Sequence, residues 1–112
     1  MDKRNSLDSL SMLMEFVGSR YKFTSENYPA LKKKSPEQIK AFAVGHSAHH
    51  MMKSLGRISA ECEAYDHGGV MNQELLHEAT VKMLINTLKL AEELGISAGE
   101  LIGSVPRVMR SK

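Results

Sequence analysis

One long helical segment constrains the fold of this 112-residue chain more than any other feature of its sequence. Ser35 suits a helix N-cap, Pro36 suits the first helical position, and Gln38 completes a capping box with Ser35. Apolar or small residues then recur at helical spacing up to Gly68–Gly69, namely Ala41, Val44, Ala48, Met51, Leu55, Ile58, Cys62 and Tyr65. This pattern predicts a helix over residues 35–67, which is long for a domain of this size.

Three further segments show helical periodicity, and none shows the period-two alternation that is typical of a strand. Helices are predicted over residues 6–19, 72–94 and 97–104. Residues 20–34 lack a helical period and read as a loop, and Pro106 is expected to stop the last helix. We therefore predict one all-α domain over residues 1–112, a helical bundle with one long central helix pair.

Composition narrows the function classes. A net charge of +2 and an aromatic content of 5% argue against a nucleic-acid partner. No apolar run is long enough to span a membrane or to resemble a signal sequence, and the single Cys62 fits a reducing compartment, so we expect a cytoplasmic protein. Small size, the long helix and eight Met residues favour completion of the bundle as a homodimer or homotetramer.

A histidine cluster is the strongest candidate for a functional site. His46 and His49 lie three residues apart, and His46 and His50 lie four apart, so the three imidazoles share one face of the predicted helix. Three interpretations stay open from these residues: a polar seam in the bundle, a metal site, or direct contact with phosphate. Imidazoles can donate to phosphate, and their charge changes near neutral pH.

The order of elements and two sequence stretches are similar to a known family. Pro36-Glu37 through His50 form the first stretch, and Leu88-Lys89-Leu90-Ala91-Glu92-Glu93-Leu94-Gly95-Ile96-Ser97 forms the second. Over roughly Arg20 to Ile102 the chain resembles the MazG-like all-α nucleoside triphosphate pyrophosphohydrolases. That resemblance implies an all-α fold and a nucleotide ligand. The family holds magnesium with Glu-x-x-Glu on one helix and Glu-x-x-Asp on the next.

The matching positions in this chain carry no carboxylate. They are His46, His49, Ala79 and Lys82. Because magnesium prefers hard oxygen ligands, the resemblance implies the fold without the family's ordinary chemistry. Lys82 in place of a carboxylate favours an anion site. The candidate ligand-binding residues are His46, His49, His50, Lys53 and Lys82.

The sequence also offers candidate ligands for a metal other than magnesium. Glu74 and His77 are three residues apart on the third helix and would join His46 and His49 on the second. Three imidazoles and one carboxylate suit zinc or manganese better than magnesium.

Three functions therefore stay open, and the sequence does not decide whether the protein is an enzyme. The first is a non-catalytic MazG-like homo-oligomer that binds a nucleotide or a protein partner. The second is a divergent metal-dependent nucleoside triphosphate pyrophosphohydrolase with histidine ligands. The third is a small helical regulatory module whose apolar face binds a partner helix.

Overall fold

The computed structural model describes residues 9–110 and contains four α-helices in that range. Their bounds are α1 Leu10–Arg20, α2 Pro36–Asp66, α3 Gln73–Glu93 and α4 Ala98–Arg110. Within this range there is no strand, and no helix is long and apolar enough to cross a bilayer. The all-α prediction is confirmed.

Local capping chemistry sets the ends of the long helices. The Ser35 hydroxyl accepts from the Gln38 amide at 3.2 Å, and the Gln38 side chain accepts from the Ser35 amide at 2.9 Å. Asn72 caps α3 by accepting from the Leu75 amide at 3.1 Å. Both helices therefore lie within one residue of their predicted ends.

One predicted connection differs from the structure, and part of the first predicted helix lies outside the described residues. The predicted loop 20–34 contains a short 3₁₀ helix, Pro29–Leu31, which buries Leu31. For the first helix, α1 begins after the cap Ser9, and the predicted residues 6–8 lie outside the described range. The short helix forms in this segment because Pro29 fixes φ at the start of a turn.

The prediction that Pro106 stops the last helix was wrong, since α4 continues through it to Arg110. The cap formed by Ser97 and Glu100 starts the helix, as the sequence predicts. Pro106 removes one backbone donor, yet it lies on the exposed side, where water can satisfy the carbonyl one turn earlier. The apolar spacing from Leu101 to Val105 and Met109 then continues past it.

A seam of small side chains joins α2 and α3. Ala43, Ser47 and Ser54 of α2 are buried, together with Ala79 of α3. Small side chains let two helices approach closely. The apolar stripe of α2 lies beside this seam and is only partly buried in the protomer: Met51 is half-buried, and Leu55 is 55% exposed.

A second contact surface joins α1 to the other side of α3. Its buried residues are Met14, Val17, Leu88 and Ala91. The half-buried residues around them include Ile96, Ala98 and Leu101, which bring the start of α4 onto the same cluster. Gly18 of α1 sits directly against the Glu92 carboxylate of α3, where a β-carbon would collide. Helix α3 is therefore the central helix, with α2 on one side and α1 on the other.

Ser47 gives a stability prediction. Its hydroxyl is fully buried in the seam and has no hydrogen-bond partner among the described residues. Burying an unsatisfied hydroxyl is unfavourable, so Ser47→Ala should raise the free energy of unfolding by about 1 kcal/mol. Urea unfolding followed by circular dichroism measures this change. Ser59→Ala, at an exposed position of the same helix, is the matched control and should change little. Destabilisation by Ser47→Ala would contradict the packing described.

Candidate functional site

A cleft of about 380 Å³ opens along one flank of the α2–α3 hairpin. Tyr21 and Tyr28, from the connection that follows α1, line it as well. Six of its lining residues carry basic side chains, namely His46, His50, Lys53, Arg57, Lys82 and Lys89. No carboxylate of residues 9–110 lines the cleft. The cleft therefore carries a concentrated positive potential.

Helical spacing explains why these basic residues meet. On α2, His46, His50, Lys53 and Arg57 lie at steps of four, three and four residues, so they share one flank. On α3, Lys82 and Lys89 are two turns apart and share a flank in the same way. Closure of the hairpin through the small-residue seam brings the two flanks together.

Lys89 is the buried cation of the cleft. Its side chain is 6% exposed, and Nζ lies 4.8 Å from the centre of the Tyr21 ring and 5.1 Å from that of Phe23. Within residues 9–110 no carboxylate forms an ion pair with it. Burial lowers the pKa of Lys89. Glu92 and Glu93 line a neighbouring pocket with Lys89 without forming an ion pair with it, so an anion that entered the cleft would pair with this lysine.

Aromatic rings hold His46 at the wall of the cleft. The centre of its imidazole lies 5.1 Å from the Tyr28 ring, 5.5 Å from Phe42 and 5.7 Å from Phe23. The His50 imidazole lies 4.4 Å away on the open side. These contacts leave little freedom to the His46 ring, which is therefore positioned before any ligand binds.

The two imidazoles share a strongly positive environment. Burial lowers the pKa of His46, and the charges of His50, Lys89 and His49 lower it further. Burial also lowers the pKa of His50, followed by the charges of Lys53, Lys89, His49 and Lys82. Both rings are therefore held toward the neutral form in the free protein.

Lys82 lies at the rim of the cleft and is already paired. Its Nζ lies 2.9 Å from a carboxylate oxygen of Glu78, one turn earlier on α3. The hydrogen bond and charge of Lys82 lower the pKa of Glu78. Because both side chains are largely exposed, this pair is weak and can open to a competing anion.

The structure brings together four of the five residues predicted to bind a ligand: His46, His50, Lys53 and Lys82 line the cleft, whereas His49 does not. Sequence reasoning missed Arg57 and Lys89. Their spacing from the predicted residues, four after Lys53 and seven after Lys82, was the signal that pointed to the same flanks.

The predicted metal residues are not brought together. The Asn72 amide donates to the Glu61 carboxylate at 2.6 Å, which places Glu74 and His77 near the turn of the hairpin. His46 is 15 residues before Glu61, or about 22 Å along α2. In the described part of the chain, no three His, Cys, Asp or Glu residues form a group that could hold a metal ion. The set His46, His49, Glu74 and His77 is therefore not a metal site in this structure.

Comparison with models of protein families finds no match to this chain. Comparisons with curated proteins and with solved structures find no match either. The interpretation of the cleft therefore depends on its own geometry and charge.

The histidine pair predicts how stability changes with pH. Both folded-state pKa values lie below the ordinary 6.5, so the unfolded chain binds more protons as the pH falls through 6.5. Stability should therefore fall as the pH drops below about 6.5. The double variant His46→Gln/His50→Gln should lose less stability over this range in urea unfolding, and His77→Gln should behave as the parent. An equal loss in the double variant would contradict the assignment.

Proposed function

We propose that this protein is a non-catalytic helical protein that binds a nucleotide or another phosphorylated ligand in the cleft between α2 and α3, as a homo-oligomer. One observation carries this proposal: Lys89 is buried at a cleft whose described lining has six basic residues and no carboxylate. A buried charge without a partner is unfavourable, and a bound phosphate group would offset that cost.

The donors in the cleft suit phosphate oxygens. Arg57 offers a planar fork for two parallel hydrogen bonds, and Lys53 and Lys89 offer point charges. Asn86 lines the same wall, and its amide nitrogen donates to the Lys82 carbonyl at 2.8 Å. A magnesium-dependent phosphohydrolase needs carboxylates at the phosphate chain, and the described lining supplies none.

The proposal includes a relationship to the MazG-like pyrophosphohydrolases, which the chain resembles in sequence. The family's carboxylate positions fall on His46 in the cleft wall, His49 outside the cleft lining, Lys82 at the rim and Ala79 in the helix seam. A methyl group at Ala79 belongs to the packing of α2 against α3. In this proposal, Lys82 replaces a carboxylate that binds a metal ion in the family. The positive charge of Lys82 then neutralises the phosphate in place of the metal ion.

Three observations support association with a second copy. Helix α2 has 31 residues, so it is about 46 Å long. The radius of gyration is 16.9 Å, against about 13 Å for a compact chain of this length. The apolar stripe that includes Met51 and Leu55 lies across the hairpin from the cleft, where the Thr87 hydroxyl contacts Met51 at 3.3 Å. A second copy on that stripe would bury it and leave the cleft open.

Ligand binding is tested by titration calorimetry with a panel of nucleoside triphosphates in the presence of a chelator. We expect binding that weakens with added salt, because the contacts are ionic. Lys89→Met should weaken it about tenfold or more, the loss expected for one charge-assisted contact. Arg57→Gln should weaken it as well, whereas Lys40→Gln, on α2 but outside the cleft, should not.

A pyrophosphate-release assay with magnesium or manganese completes this test. We expect no release with any nucleoside triphosphate of the panel. Release that disappears in His46→Ala would contradict the non-catalytic proposal and would favour a hydrolase rebuilt around imidazole.

Association is tested by sedimentation velocity. The parent protein should sediment as a dimer or tetramer, and Leu55→Glu should shift it to the monomer, because a buried carboxylate without a partner is costly. Val70→Glu, at an exposed residue of the α2–α3 turn, is the control and should leave the oligomer intact. A monomeric parent would contradict the homo-oligomer and would leave the stripe for a partner helix.

A further inference from the structure

Three basic side chains meet at one end of the cleft, beside Tyr21 and Tyr28. We call this the inner cluster, and it consists of His46, His50 and Lys89. The two imidazole centres are 4.4 Å apart, and the charge of Lys89 acts on both rings. Lys89 is buried, whereas the other basic residues of the lining, such as Lys53 and Arg57, are exposed. The inner cluster is therefore the part of the cleft in which charge is least screened by water.

Among residues 9–110, every charged group that acts on the histidine pair is basic. Helix α2 contributes His49 and Lys53, and α3 contributes Lys82 and Lys89. The connection after α1 contributes only the uncharged rings of its aromatic residues. Protonation of either imidazole in the free protein thus adds a positive charge to a site that holds several already.

We propose that the inner cluster is a subsite for a terminal phosphate group, and that filling this subsite protonates the His46–His50 pair. This inference rests on the proposed function, because it concerns the same cleft. A terminal phosphate differs from a carboxylate or an internal phosphodiester in carrying close to two negative charges at neutral pH. One of these charges pairs with Lys89, and the second is left for the imidazoles.

Phosphate binding and imidazole protonation are coupled because the bound phosphate changes the sign of the charge nearest to the rings. With the phosphate in place, the nearest charge to each imidazole is negative, so the charged form of the ring becomes the favoured one. The proton comes from the solvent, and no covalent bond of the ligand changes. Each new imidazolium N–H then donates to a phosphate oxygen, which is a charge-assisted hydrogen bond.

The coupling has a definite sign. Proton uptake on binding means that affinity increases as the pH falls through the range between the free and bound pKa values of the pair. For one proton, the dissociation constant should change about tenfold per pH unit within that range. The ligand would be held more tightly in mildly acidic solution and released as the pH rises.

Nuclear magnetic resonance can read the individual imidazoles directly. The ring signals of the five histidines are titrated with pH, with and without inorganic pyrophosphate as the probe. We expect the midpoints of His46 and His50 to rise by about one pH unit or more when pyrophosphate is present. His67 and His77, which lie outside the cleft, are internal controls and should not change.

The outcomes separate this inference from the proposed function. Pyrophosphate binding, seen as shifts of backbone amides around the cleft, with unchanged midpoints for His46 and His50 would overturn the proton uptake and leave the binding function intact. Absence of binding would overturn both. In His46→Gln/His50→Gln the pH dependence of affinity should fall to that of pyrophosphate's own ionisation. Full retention of the dependence would also overturn the inference.

Discussion

The close approach of α2 and α3 determines both surfaces of this molecule. Small side chains at Ala43, Ser47 and Ala79 let the backbones come together without interdigitating large residues. Larger side chains are therefore displaced to the two flanks of the hairpin. The basic ones form the cleft on one flank, and the apolar ones form the exposed stripe on the other. Insertion of a large residue into the seam would separate the helices and open the cleft at the same time.

The parts of the fold that the sequence predicts well are those set by local chemistry. The capping box at Ser35 and the cap at Asn72 are determined within a few residues, and they place α2 and α3 correctly. The sequence predicts the apolar stripe of α2 but not its buried face, because small side chains such as Ala43 and Ser47 form that face. Pro106 was misread because exposure, a tertiary property, decides whether a proline ends a helix.

The candidate site was partly predictable for the same reason. Residues of one helix face, such as His46 and His50, can be grouped from spacing alone. The spacing of Lys89 from Lys82 indicates its flank, but its burial could not be recognised, because that burial depends on two aromatic rings distant in sequence, Tyr21 and Phe23. The separation of Glu74 from His46 likewise follows from the hairpin register, which no local pattern encodes. Long-range packing therefore determines which charges of the chain become neighbours.

The cleft and the apolar stripe lie on opposite flanks of one hairpin. This arrangement has a consequence for assembly. Two copies that share the stripe would carry their clefts on outer surfaces that face away from each other, so a small ligand cannot touch both. Each cleft would then be filled independently, and occupancy would follow a simple saturation curve without cooperativity. A long or surface-displayed polyanion is different, since it can engage both clefts and gain avidity from the second contact. The same geometry would make the assembled protein a cross-linker of such ligands.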